Sequence, residues 1–158
     1  MALLRRIAQA LVQDLVHQEV LELGIYVISG EEMVRLNETF LRHSGSTDVI
    51  TFNYNEPSDR GYLHGEIFVC LDEAQTQARR FGTTWQSELV RYIVHGTLHL
   101  MGYDDQRKAQ RVRMEQLENR FLKELAGRFP LGRLANHSRK RDRRERKRIQ
   151  FVGRAFAS

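Results

Sequence analysis

Leu4, Ile7, Leu11, Leu15 and Val16 recur at the spacing of one helical face, which predicts a first helix over about 2–22. A short strand is expected over 24–28, and Ser29 with Gly30 punctuates it. Residues 31–40 read as a second helix, because Glu31 and Glu32 fall in its first turn, where the helix dipole favours acidic side chains. The turn LRHSGS leads into TDVITF, residues 47–52, whose β-branched and aromatic content predicts a strand. The polar stretch 53–62, with Pro57 and Gly61, is a loop; 65–70 is a further strand, and 72–80 a third helix closed by Gly82. Thr83 with Gln86 makes a capping box for a fourth helix running to about Met101. Gly102 ends that helix, Tyr103, Asp104 and Asp105 form a turn, and a last helix covers about 107–128. Helices and strands in this mixed order predict an α+β (mixed α/β) fold: a small, mostly parallel sheet of three or four strands packed with about five helices.

The chain of 158 residues fits one compact domain with a sizeable core. With 41% hydrophobic and 28% charged residues it has the balance of a water-soluble protein. No apolar run approaches the roughly 20 residues of a membrane span, and Arg5, Arg6 and Asp14 interrupt the opening stretch, which reads as an amphipathic helix and not as a signal peptide. The one cysteine, Cys70, lies in an apolar run and reads as core packing; with no internal disulfide possible, a reducing, cytoplasmic home is expected.

Charge divides the chain. Residues 137–158 hold nine Lys or Arg against Asp142 and Glu145, a local +7, whereas 1–136 carries 16 basic and 18 acidic residues. The division predicts a single domain over 1–136 followed by a basic, flexible extension over 137–158. Such a run is either a solubilising tail or a polyanion contact.

The fourth helix is apolar on nearly every side, so a central position is expected. His95 and His99 lie inside it, and side chains four apart on a helix project from one face, near enough to share an ion. Gly96 adds no side chain between them, and Gly102 lets the chain turn back to present Asp105 at the same point. The pattern HxxxH-xx-Gly-xx-Asp therefore predicts one divalent ion held by His95, His99 and Asp105 on a zinc-hydrolase-like helix. Three protein ligands leave a coordination position open, as catalytic zinc sites do, and the cysteines of a closed structural site are lacking.

HGTLHLMGYDD, residues 95–105, resembles the HGxLHLxGYDH signature of the YbeY endoribonuclease family, bacterial ribosomal RNA maturation factors. Leu36-Asn37 with Phe40-Leu41-Arg42 resembles the family's LNxxFR segment, Thr47 to Phe52 its TDVLSF strand, and Gly65-Glu66-Ile67 its GDI strand. The resemblance covers roughly 25–125. It implies a zinc-binding fold, single-strand-specific RNA cleavage, and work on ribosomal RNA and the small ribosomal subunit, in 16S 3′-end maturation and ribosome quality control. Asp105 stands where the family has its third histidine, so harder divalent ions compete with zinc, and the neighbouring Asp104 is an alternative ligand. Arg42 matches the family's functional arginine; before the 47–52 strand it can clamp a phosphate and stabilise developing charge. Asn37, Thr47 and Asp48 are further candidates for substrate contact. His64, before a strand, and Trp85, near a helix start, read as ordinary structural residues.

Three functions compete. The first is a metal-dependent endoribonuclease in which Arg42, His95 and His99 carry the chemistry, with either water or the ribose 2′-hydroxyl as nucleophile. The second is a metallopeptidase, but the position that holds the general-base glutamate in zinc peptidases is Gly96. The third is a non-catalytic RNA-binding or ribosome-assembly factor in which metal supports the fold and the basic extension holds RNA.

Overall fold

The computed structural model describes residues 2–41, 45 and 47–135, together with the backbone of 147–152. Helix α1 (Ala2–Ala10) widens into a π turn, Leu11–Leu15, and strand β1 follows at Glu19–Ile28. The first helix therefore stops well short of residue 22. His17 adopts φ 53°, a left-handed conformation that no helix continues through, and β1 is twice the expected length because the sheet recruits Glu19 to Leu23. Helix α2 (Gly30–Leu36) carries the predicted acidic first turn and a full capping box between Ser29 and Glu32, then passes into a π turn at Asn37–Leu41. Strands β2 (Val49–Asn53) and β3 (Tyr62–Cys70), then helices α3 (Leu71–Phe81), α4 (Trp85–Leu100) and α5 (Lys108–Arg128), complete the central part.

The four-stranded sheet has the order β2-β3-β1-β4, where β4 is Lys147–Val152. The α+β class is as expected, but the sheet is mixed and not mostly parallel: β1 and β3 run parallel, whereas β2–β3 and β1–β4 are antiparallel. Connection length explains this. The loop between β2 and β3 is too short for the crossover that parallel neighbours need, while α2 and β2 together supply one between β1 and β3. The backbone of β4 pairs with β1 from Val27↔Lys147 to Glu22↔Val152. Over these six residues the basic extension forms an edge strand instead of standing free in solvent; the rest of 137–158 lies outside the described residues. Among the described residues no helix is long and apolar enough to cross a membrane.

Side chains alternate across the sheet. Leu23, Ile25, Leu63, Ile67 and Val69 join α1, α4 and α5 in the larger core, while Tyr26, Ile28, Ile50, Phe68 and Cys70 pack with Met33 of α2 on the other face. Cys70, the one cysteine of the sequence, is buried in this second cluster, in the packing role expected of it. Leu89, Val90, Ile93, Val94 and Leu98 of α4 are almost completely buried, so this helix is central, as its composition predicts.

Gly96 is where α4 meets the sheet most closely. A Cβ there would lie 2.6 Å from Ile67 Cγ2, 3.2 Å from Thr51 Cγ2 and 3.3 Å from Val49 Cγ2. Ile67 is fully buried and, being β-branched, has little rotamer freedom to yield. Gly96→Ala gains about 1 kcal/mol of helix propensity, but overpacking of this kind costs about 1–3 kcal/mol. A lower melting temperature, by several degrees in thermal circular dichroism, is the expected net result. The peptidase alternative weakens further, because position 96 backs onto the sheet and has no space for a glutamate.

Candidate metal centre

Helix α4 begins at Thr84, whose hydroxyl accepts a hydrogen bond from the Ser87 N–H at 3.2 Å. The cap is one residue later than predicted, since Thr83 instead donates its hydroxyl to Glu88 Oε1 at 2.7 Å. At the other end, Gly102 takes φ 95°, a left-handed value that suits glycine. The Gly102 N–H donates to the His99 carbonyl at 2.9 Å and the Tyr103 N–H to the Leu98 carbonyl at 3.1 Å. This pair of bonds is a Schellman closure, and it turns the chain back along the helix it has just left.

That reversal brings three groups together. His95 Nε2 and His99 Nε2 lie 3.0 Å apart, and Asp105 Oδ2 stands 3.7 Å from the first and 3.6 Å from the second. Ligand-type atoms of the three residues all fall within 4.8 Å of one another, so the group can hold a metal ion. The opposite ring nitrogens are committed elsewhere. His99 Nδ1 bonds the Tyr103 carbonyl at 3.0 Å, which makes that nitrogen the donor. His95 Nδ1 bonds Glu118 Oε1 of α5. With Nδ1 protonated in both rings, both Nε2 lone pairs aim at the same point, an arrangement that a shared cation satisfies.

The two neighbouring aspartates have different work. Asp104 Oδ1 accepts from the backbone N–H groups of Asp105 at 2.7 Å and Gln106 at 3.1 Å, which closes the turn before α5. Arg111 Nε donates to the Asp105 carbonyl at 3.2 Å and braces the same segment. Asp105 thus faces the imidazoles while Asp104 fixes the backbone that presents it.

Glu118 is only 8% exposed. Its other oxygen is 4.0 Å from Arg91 Nη1, and Arg91 Nη1 also donates to Asn119 Oδ1 at 2.8 Å. Burial opposes protonation of the His95 ring and is the largest single influence on it. The Glu118 hydrogen bond and charge, with Asp48 and Asp105 behind them, together outweigh burial and raise the His95 pKa above the ordinary histidine value. A cavity of about 520 Å³ opens beside the His95 ring, where Asp48, Glu88, Asp105, Glu115 and Glu118 face Arg91 and Arg111. Negative charge prevails there, which suits a cation and repels a bare phosphodiester.

The other predicted residues are dispersed. Asn37 is buried and donates its amide to the Gly45 carbonyl at 2.9 Å, closing the turn after α2. Thr47 donates to Asp48 Oδ1 at 3.2 Å, and the same oxygen accepts the Val49 N–H at 2.9 Å. Asp48 lines the cavity, whereas Asn37 and Thr47 do not. Arg42 lies outside the described residues. His64 is on the sheet face turned away from α4, edge-on to Tyr54 at 5.7 Å between centroids, and Trp85 packs on the larger core. Glu118 was not foreseen. Its signal is nonetheless present: Met114, Glu118, Phe121, Leu122 and Leu125 form the buried face of α5, so an acid sits where the helical period calls for an apolar residue.

A family model described as Endoribonuclease YbeY matches residues 1–126. Among curated relatives, Endoribonuclease YbeY of Chlorobaculum parvum is 41% identical over 102 residues, 64% of this chain and 70% of the relative. That of Chlorobium luteolum is 36% identical over 124 residues, 78% and 88% of the two chains. The solution structure of TM1509 from Thermotoga maritima is similar, with a TM-score of 0.56 at 28% identity, covering 89% of this chain and 88% of the other.

Proposed function

The chain belongs to the Endoribonuclease YbeY family, and we propose on that footing that it is a metal-dependent endoribonuclease specific for single strands, with His95, His99 and Asp105 as the metal ligands. One observation carries the assignment: two imidazole Nε2 atoms 3.0 Å apart, each with its opposite nitrogen tied to an acceptor, facing one carboxylate. Zinc suits two nitrogens and one oxygen with a position left open, and the carboxylate admits harder divalent ions as alternatives. Such an ion, when bound, supplies Lewis acidity toward a phosphoryl oxygen and a nucleophile at neutral pH.

The residues of the chain do the rest. Glu118 and the Tyr103 carbonyl hold the Nδ1 protons, so His95 and His99 keep their Nε2 lone pairs directed inward. Asp104 and Arg111 keep the 103–106 turn in place. Arg42 is assigned the phosphate clamp on the strength of its motif, with Asn37 and Thr47 as further substrate contacts. The substrate we assign is ribosomal RNA of the small subunit, in the cytoplasm, with the basic extension adding phosphate contacts whose loss would flatten the salt dependence by about 0.7 per contact.

The extension's charge also favours the reading of an RNA-binding assembly factor without catalysis. One assay separates the two. Purified protein is analysed for bound metal and mixed with single-stranded and duplex RNA, before and after chelation. Cleavage of the single strand is expected to vanish with the metal and return when zinc is restored. Equal cleavage after complete metal removal overturns the proposal, and RNA binding without cleavage in the metal-loaded protein favours the assembly factor.

A further inference from the structure

Phe81, the last residue of α3, is 64% exposed, the most exposed of the large apolar side chains among the described residues. It belongs to neither hydrophobic core. Its position is informative, since it lines the same cavity as His95 and Asp105. The Arg80 guanidinium lies over its ring, 5.3 Å from the centroid, and thereby places positive charge at a rim whose interior is acidic. The next most exposed aromatic residues have other surroundings: Phe40 meets Phe52 edge-on at 5.5 Å, and Tyr54 donates its hydroxyl to Glu66 at 2.8 Å on the sheet face turned away from α4.

We propose that Phe81, backed by Arg80, is a base-stacking subsite at the mouth of the metal cavity, taking the base of an unpaired nucleotide beside the scissile phosphate. The inference rests on the endoribonuclease reading and deepens it. An exposed ring with an arginine over it gains from stacking a base on its free surface, and the gain is tolerant of sequence because every base has a π face. A base can occupy the ring only when it has left a helix, so the subsite itself discriminates against duplex RNA. The guanidinium, 5.3 Å from the ring centroid, adds a positive charge that favours the phosphate of a nucleotide stacked there. Because Phe81 packs on neither core, its replacement leaves the fold intact.

The test uses the full, metal-loaded chain and a single-stranded RNA carrying 2-aminopurine next to the cleaved bond, with rapid-mixing fluorescence and steady-state cleavage read together. Phe81→Ala is expected to abolish the fluorescence quenching on binding and to raise KM by about 5- to 150-fold with kcat within about twofold. Phe81→Trp is expected to restore both, and Phe81→Leu, apolar but without a π face, to restore neither. Quenching and KM unchanged in Phe81→Ala, or fully recovered in Phe81→Leu, overturn the stacking subsite. A wild-type chain that quenches through Phe81 yet cuts no RNA upholds the subsite and removes the catalytic reading; one that does neither removes both.

Discussion

His99→Ala is expected to lose the metal and cleave no RNA above background while remaining folded. Of the two imidazoles this is the cleaner one to remove. Its side chain is 26% exposed, and its Nδ1 partner is the Tyr103 carbonyl, in a turn that water can reach. His95→Ala would remove the hydrogen-bond partner of Glu118, 8% exposed, and leave it Arg91 at 4.0 Å as its charged neighbour; breaking one side of a buried pair costs up to about 3–5 kcal/mol. A fold defect would then be confused with a site defect. If a complete set of protein ligands binds zinc with about 10–16 kcal/mol, one imidazole in three accounts for roughly 3–5 kcal/mol. That corresponds to a loss of affinity of about 10²- to nearly 10⁴-fold, read by competition against a chromophoric chelator. Melting by circular dichroism in the metal-free state should match the wild type. Unchanged metal affinity in this variant would refute the proposed ligand set.

Features carried by local spacing were legible in the sequence. The apolar girdle of α4, the four-residue interval between His95 and His99, and the glycine that turns the chain toward Asp105 all follow from the helical period and from the backbone freedom of Gly102. Features set by a distant partner were not. The apolar spacing of α1 runs on formally toward β1, yet Glu19 to Leu23 are claimed by pairing with β3, which lies some forty residues later. β4 sits among basic residues that suggest a solvated tail, and only the register with β1 makes it a strand. Thr83 and Thr84 both have a capping residue's chemistry; the choice between them depends on Glu88, which takes the hydroxyl of the first. The same reason hid Glu118, which meets His95 across two packed helices and 23 positions of sequence.

Glu118 is accordingly where the largest effect on metal affinity outside the ligand set is expected. Its carboxylate does two things at once: it accepts the Nδ1 proton of His95, which fixes the tautomer, and it places negative charge behind the ring, which makes Nε2 a stronger donor to a cation. The variants Glu118→Gln and Glu118→Ala divide these roles. Glutamine keeps an oxygen that can accept the proton but carries no charge, and alanine removes both and leaves Nδ1 of a largely buried ring without its partner. Loss of such a supporting group lowers metal affinity or activity by about 10- to 100-fold, so Glu118→Ala should reach the upper part of that range and Glu118→Gln the lower. Arg91 gives an internal control. Because it lies 4.0 Å from Glu118 and 3.9 Å from Glu88, Arg91→Ala would disturb the same cluster while leaving the hydrogen bond to His95 in place, and its metal affinity should stay near the wild type. Should Glu118→Ala bind metal as tightly as the unaltered chain, the tautomer of His95 would have to be held by something other than this carboxylate, and the convergence of the two Nε2 lone pairs would lose its explanation.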